Sequence, residues 1–235
     1  MKTNEFLSGM RAGIPVCIGY FSVSFGFGAM AISKGLKAWY AILISATNLT
    51  SAGQFAGLEV ITAGATIIEL ILTQIIINSR YSLMSVALSQ KFGTDVGTGK
   101  RLIASFFNTD EIFALSMARK QPLTASFFVG AGCIASLGWI SGTALGAFAG
   151  SILSTSIRAI LGIMLYGMFI AIVVPEVKKA KPIFITVIIS IILSSLFTWA
   201  PYLNKTSTGL AIVICTVVSS AICAVRFPLK DEVSK

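Results

Sequence analysis

From Gln121 to Ile157 the chain carries no charged residue, and within that run Gly138, Gly142, Gly146 and Gly150 recur at every fourth position. So long an apolar run exceeds the roughly 20 residues with which an α-helix crosses the hydrocarbon of a bilayer. Six more runs approach or reach that length: Gly13–Ser33, Trp39–Gly64, Ile67–Gln90, Ala159–Pro175, Ile183–Trp199 and Gly209–Val225. Strands of a membrane barrel would instead alternate over about 10 residues. The expected fold is therefore an all-α integral membrane protein, a polytopic helical bundle of about seven transmembrane helices forming one domain over 1–235. The four glycines fall close to one helix face and make a groove for another backbone. Either another helix of the chain or a separate subunit can fill it.

Charged residues are only 11% of the chain, where an ordinary globular protein has about 25%. The net charge of +9 would suggest nucleic acid in a soluble chain, but here it reports where basic residues sit relative to the bilayer, and no nucleic-acid partner is expected. Histidine is absent, which removes Ser-His-Asp hydrolysis, His metal ligation and an imidazole relay. Cys17, Cys133, Cys215 and Cys223 lie inside apolar runs without a C-x-x-C pair, so neither a disulfide framework nor a metal site is expected. With no paired-carboxylate motif in a span, the chain does not read as an enzyme, and no cofactor is expected. The N-terminal stretch has charges close to the first run and no small-residue cleavage site, so no signal peptide is expected.

The most informative polar stretch is Ser45–Gly57, SATNLTSAGQFAG, which sits between two apolar segments. A lipid-facing helix has no use for these hydroxyls and amides, because an unpartnered polar group in hydrocarbon costs about 2–7 kcal/mol. Gly53 and Gly57 admit a close backbone, and Gly53 is a position where a helix can break and expose backbone N–H and C=O groups. Such a segment is either a packing seam or a seam that also lines a ligand site, with Gly53, Gln54 and Phe55 as its candidates.

In the third run, Gln74, Asn78, Tyr81 with Ser82, Ser85 and Ser89 form one helical stripe. Arg80 points away from it by about 200° on an unbroken helix, either snorkelling or buried against a carboxylate or a ligand. The most charged interior stretch, 91–121, combines a Gly/Thr loop with LIASFFNTDEIFALSMA, too polar for a lipid-exposed span and expected to be a short or re-entrant helical element. Asn108 and Glu111 resemble a capping box. The alternative role for Asp110 and Glu111 is in carrying a proton, as for Glu59.

Seven crossings with the N-terminus outside place fourteen of the basic residues, among them Lys34, Lys91, Arg101, Arg119 and Arg226, on the cytoplasmic side, leaving Lys2, Arg11, Arg158 and Lys205 outside. A faint echo between 13–90 and 122–201, including Gly53-Gln54-Phe55 and Gly167-Met168-Phe169, suggests a 3+3 inverted repeat plus one helix.

Three islands, Ala52–Ala56, Asn78–Arg80 with Ser82-Leu83, and Thr109–Leu115, occur in the order and spacing of the AzlC family, which the chain resembles over nearly its whole length. It departs at Tyr81, where family members often carry His, and at Thr50-Ser51, where Ala-Gly is common. The resemblance implies the large subunit of a bacterial branched-chain amino-acid exporter in the cytoplasmic membrane, paired with a small AzlD-like membrane subunit of about four spans that could dock on the glycine row. For a zwitterion with an aliphatic tail, Gln54, Asn78, the backbone near Gly53 and Arg80 are candidates for the carboxylate. Asp110 or Glu59 is a candidate for the ammonium or a coupling proton, and Phe21, Phe25 and Phe55 for the tail.

Overall fold

The computed structural model describes residues 2–93, 96–152, 170, 173–174, 177–178 and 180–228. Among them are ten α-helices: α1 Lys2–Ser33, α2 Ala38–Thr47, α3 Ser51–Thr62, α4 Ile67–Asn78, α5 Arg80–Lys91, α6 Thr98–Ser105, α7 Asp110–Ala118, α8 Ala125–Ile152, α9 Lys181–Trp199 and α10 Thr208–Arg226. Helices α1, α8, α9 and α10 are long and apolar enough to cross a membrane, and α4 with α5 forms a fifth crossing if the pair, bent by 42° at Ser79, counts as one. The second apolar run is divided into helices of 10 and 12 residues. Most of the fifth, Ala159–Pro175, lies outside the described residues, as does the echo at Gly167–Phe169.

The chain packs as two compact units, Met1–Phe55 with Asn78–Leu165, and Ala56–Ile77 with Tyr166–Lys235.

The first unit is built on α1 and α8. Gly9 of α1 meets the backbone of Phe127, Gly13 that of Ala131, and Gly28 that of Thr143 and Ala147; from the other side Gly130 meets Phe6, Gly138 meets Cys17, Gly142 meets Phe21 and Ser24, and Gly146 meets Phe25. A Cβ at any of these would overlap the facing chain, so glycine is what lets the two backbones touch. Residue numbers rise together along both helices, so the pair is parallel.

This pairing decides between the two fillings left open for the glycine row. The row Gly138, Gly142, Gly146 is filled by α1 of the same chain and is not an open docking surface; the surroundings of Gly150 lie outside the described residues. The N-terminal end of α1 also stands at the end of the unit where the 91–120 stretch closes. There Glu5 is 2.9 Å from Arg119 and accepts from Thr124 Oγ1 at 2.9 Å.

At this Arg119 end, Lys91 Nζ donates to the carbonyls of Met117 and Arg119 at 2.9 and 2.8 Å. Arg101 donates to Val96 O at 2.8 Å and to Ser89 O at 2.9 Å. Helix α6 thus leaves, and α7 returns to, the end of α5. At about 1.5 Å per residue these short helices reach about 12–14 Å, less than half of a hydrocarbon core about 30 Å thick. Two short helices therefore stand where a short or re-entrant helical element is expected.

The second unit is tied at the start of α4 by a capping box absent from the sequence reading. Glu69 N–H donates to Thr66 Oγ1 and Thr66 N–H to Glu69 Oε2, both at 3.3 Å. Glu69 Oε1 accepts from Ser207, the N-cap of α10, at 2.9 Å.

Candidate functional site

Three breaks in the chain meet inside the first unit. The first is Asn48–Thr50 between α2 and α3, with Asn48 extended at φ −144 and ψ 115. Thr50 caps α3: its Oγ1 accepts from Gly53 N–H at 3.2 Å and its carbonyl from Gln54 N–H at 2.9 Å. Gly53 therefore sits in the first turn of α3, and the break falls just before it.

Gln54, 2% exposed, holds this break in place. Its Nε2 donates to the carbonyls of Ile44, at 3.4 Å, and Asn48, which the end of α2 would leave orphaned. Its Oε1 accepts from Trp139 Nε1 at 3.1 Å and Ser45 Oγ at 3.3 Å, and Ser45 lies 2.7 Å from Thr143 Oγ1 on α8. All four hydrogen-bonding positions of the amide are taken. Phe55 packs edge-on against Phe27, ring centroids 5.4 Å apart. Glu59 lies further along α3, in the part assigned to the second unit.

The second break is Ser79, between α4 and α5. Asn78 Oδ1 accepts from Thr50 Oγ1 at 2.7 Å, which ties the first break to the second. Arg80, at the start of α5, makes an ion pair with Asp110 at 2.9 Å, both side chains about half exposed, and lies 5.2 Å from the centre of the Tyr81 ring. Arg80 thus faces a carboxylate, but in a half-exposed pair rather than a buried one. Burial raises the Asp110 carboxyl above its ordinary pKa, Arg80 opposes the rise and Glu111 adds to it.

The third break is Phe106–Thr109, the tip of the α6–α7 hairpin. Thr109, not Asn108, caps α7 by accepting from Ile112 N–H at 3.4 Å, so the Asn108–Glu111 capping box is corrected. Asn108 instead donates through Nδ2 to Ser85 Oγ at 3.0 Å and Tyr81 O at 3.4 Å. Glu111 accepts from Tyr20 at 2.5 Å, and the Tyr20 oxygen is 2.7 Å from Thr109 Oγ1. A phenol has one proton; with the Tyr20 O–H donated to the Glu111 carboxylate, the Thr109 hydroxyl donates to the Tyr20 oxygen. Tyr20 packs edge-on against Trp139 at 5.2 Å, which links this network to Gln54.

A cavity of about 230 Å³ lies where the breaks meet, lined by Thr47, Asn48, Leu49 and Thr50 from the first, Asn78 and Tyr81 around the second, and Ser105, Phe106 and Asn108 around the third. That is just under the roughly 300–1,000 Å³ of pockets for drug-sized ligands, a size for a smaller molecule. The lining offers hydroxyls, amides and two apolar side chains, with no ionised group, which suits a solute that is polar and overall neutral.

Of the residues singled out in the sequence, Asn78 lines the cavity, and Arg80, Asp110 and Glu111 stand beside its lining residues in the chain. Gln54 shapes its wall. Phe21 is 39% exposed, and Phe25 turns its carbonyl toward Gly146; neither lines the cavity. Tyr20, Trp139 and Thr143 were not anticipated. Their signal was the polar tip of an aromatic or hydroxyl side chain inside a glycine-rich apolar run, which needs a partner when buried. Among the described residues no group of His, Cys, Asp and Glu could hold a metal ion.

A helical membrane chain whose helices break around a small polar cavity belongs to the class of membrane proteins with a transport-related role. Residues 15–153, which contain the whole cavity lining, match the family described as AzlC protein, and the chain belongs to that family. It is 25% identical over 188 residues to the inner membrane protein YgaZ of Escherichia coli K12, covering 77% of each chain. It is 28% identical over 179 residues to an uncharacterized membrane protein of Archaeoglobus fulgidus, covering 75% of this chain and 78% of that one. It is 22% identical over 182 residues to the branched-chain amino acid transport protein AzlC of Bacillus subtilis, covering 75% and 69%. No solved structure matches the chain.

Proposed function

We propose that this chain is the conducting subunit of a secondary transporter that exports branched-chain or other apolar amino acids across the bacterial cytoplasmic membrane. The observation that carries the reading is the meeting of three chain breaks on one uncharged polar cavity, inside the segment that defines the family. An amino-acid zwitterion needs donors for its carboxylate, acceptors for its ammonium and an apolar surface for its tail. The central cavity holds Thr47, Thr50, Tyr81, Asn78 and Asn108 for the first two, with Leu49 and Phe106 for the third. Gln54 has the role of keeping the first break open. A small AzlD-like subunit works with the chain, docked elsewhere than the α1-filled glycine row.

The Arg119 end carries Lys91, Lys100, Arg101, Arg119 and Lys120, so the positive-inside rule makes it cytoplasmic. The Glu5–Arg119 pair then brings the N-terminus to that side. The basic residues Arg226, Lys230 and Lys235 argue for a cytoplasmic C-terminus as well.

Efflux of L-leucine from proteoliposomes holding the chain alone, the chain with its small partner, or neither tests the reading. Leucine-dependent counterflow only when the chain is present is the expected result. Equal leakage in all three would leave the chain an assembly subunit whose polar centre is packing.

A further inference from the structure

Asn108 stands in the wall between two cavities. Together with Ser105 it lines the central cavity, and the same two residues line a second cavity of about 210 Å³ among α5, α6 and α8. Leu88, Phe92, Leu102 and Phe128 give the second cavity an apolar wall, and Arg101 lines it too, its guanidinium bonded to Ser89 at the Arg119 end. The serine stripe read from the sequence runs along this route, with Tyr81 at the centre and Ser85 and Ser89 in the second cavity.

The Asn108 side chain is 7% exposed, and both of its bonds use Nδ2. A backbone carbonyl can only accept, so the bond to Tyr81 O fixes which way the amide points. Asn108 Oδ1 is left buried without a partner. Such a group forfeits its hydrogen bond to water and gains nothing in return, and a ligand that takes the place of the missing partner is one explanation for it.

The nearby carboxylates are occupied. Glu5 is held by Arg119, Asp110 by Arg80 and Glu111 by Tyr20. Asn108 Oδ1 is closed off in this structure, so an ammonium group moving between the cavities would reach it only as the wall opens, and it would then find an acceptor that no other described side chain has claimed.

We propose that Asn108 Oδ1 receives the α-ammonium group of an apolar amino acid as it passes between the central cavity and the apolar one, which acts as a vestibule for the aliphatic side chain. This rests on the amino-acid reading above and adds to it a ligand residue and a second subsite.

The test uses the purified full chain with its small partner and two probes, L-leucine and 4-methylpentanoate, which is the leucine skeleton without its amino group. Asn108→Leu fills the same space and removes the acceptor; Asn108→Asp keeps an acceptor and removes the Nδ2 donor. The expected result is leucine binding weakened about tenfold or more in Asn108→Leu, as loss of one charge-assisted bond implies. Binding of 4-methylpentanoate should be unchanged there, and leucine binding retained in Asn108→Asp. Leucine bound normally by Asn108→Leu, both probes weakened alike, or leucine lost equally in Asn108→Asp would each overturn the assignment. Should Asn108→Leu not fold, Asn108→Asp decides alone: retained leucine binding supports the acceptor role and lost binding refutes it. A native complex that binds no leucine would refute the transport reading itself, an outcome visible before any variant is made.

Discussion

Replacing Gly146 with alanine tests whether α8 spends its glycines on α1. The added methyl would fall inside the carbonyl group of Phe25, and a backbone atom cannot swing aside as a side chain can. Relief requires α1 to move against α8, which disturbs the neighbouring contacts at Gly142 and Gly28 along the same seam. Overpacking of this kind costs about 1–3 kcal/mol. Gly26 of α1 supplies the control, since a Cβ there meets nothing within 4 Å. Gly26→Ala should be neutral or gain about 0.5–1 kcal/mol from helix propensity. At about 2–4 °C per kcal/mol for a chain of this size, Gly146→Ala should melt roughly 2–12 °C below the native chain. The measurement is thermal unfolding of the chain expressed alone in detergent, followed by tryptophan fluorescence. If Gly146→Ala melts with the native protein while Gly146→Leu loses only co-purification of the small subunit, the seam argument fails and the row belongs to the partner.

Three further outcomes follow from the site. Gln54→Ala strands two carbonyls, the Trp139 indole N–H and a Ser45 bond, each worth about 1–3 kcal/mol when left buried, so melting temperature and leucine flux should fall together; normal values for both would remove the amide as the holder of the break. Asp110 has its pKa raised by burial and held back by Arg80, so the carboxyl favours the folded state most when protonated, and its contribution declines as pH climbs through the folded pKa. Arg80→Gln removes the opposing cation and should move any Asp110-dependent limb of the flux profile to higher pH, whereas Asp110→Asn should abolish that limb; an unmoved limb in both excludes Asp110 as the titrating group. A reporter fused to the N-terminus should be active only in its cytoplasmic form, and an exported reporter would refute the orientation set by Glu5 and Arg119.

Much of the fold was legible because hydrocarbon is an unforgiving solvent: apolar runs of spanning length have to be helices, and polar residues within them have to find partners. The Ser45–Gly57 stretch could be picked out on that ground alone. Its break was placed at Gly53 because glycine is the usual interrupter, but a threonine cap at Thr50 and the Gln54 amide make the break without one. Trp139 and Thr143 are far from Gln54 and Ser45 in sequence, and no spacing rule joins them. Orientation is harder to read from sequence for a related reason. Counting basic residues assumes that each apolar run crosses once, and runs broken at Asn48–Thr50 and Ser79 do not guarantee that. The Glu5–Arg119 ion pair is the further observation on which the orientation proposed above rests.

The central claim, that the meeting point of the three breaks is the route of an apolar amino acid, is tested most directly with a single cysteine at Leu49. This residue lines the central cavity from the first break and carries no hydrogen bond through its side chain. With Cys17, Cys133, Cys215 and Cys223 replaced, Leu49→Cys in proteoliposomes containing the small partner is treated with a thiol reagent while L-leucine efflux is followed. The account predicts that labelling stops efflux and that saturating leucine slows the labelling. Complete labelling with undiminished leucine efflux would contradict it.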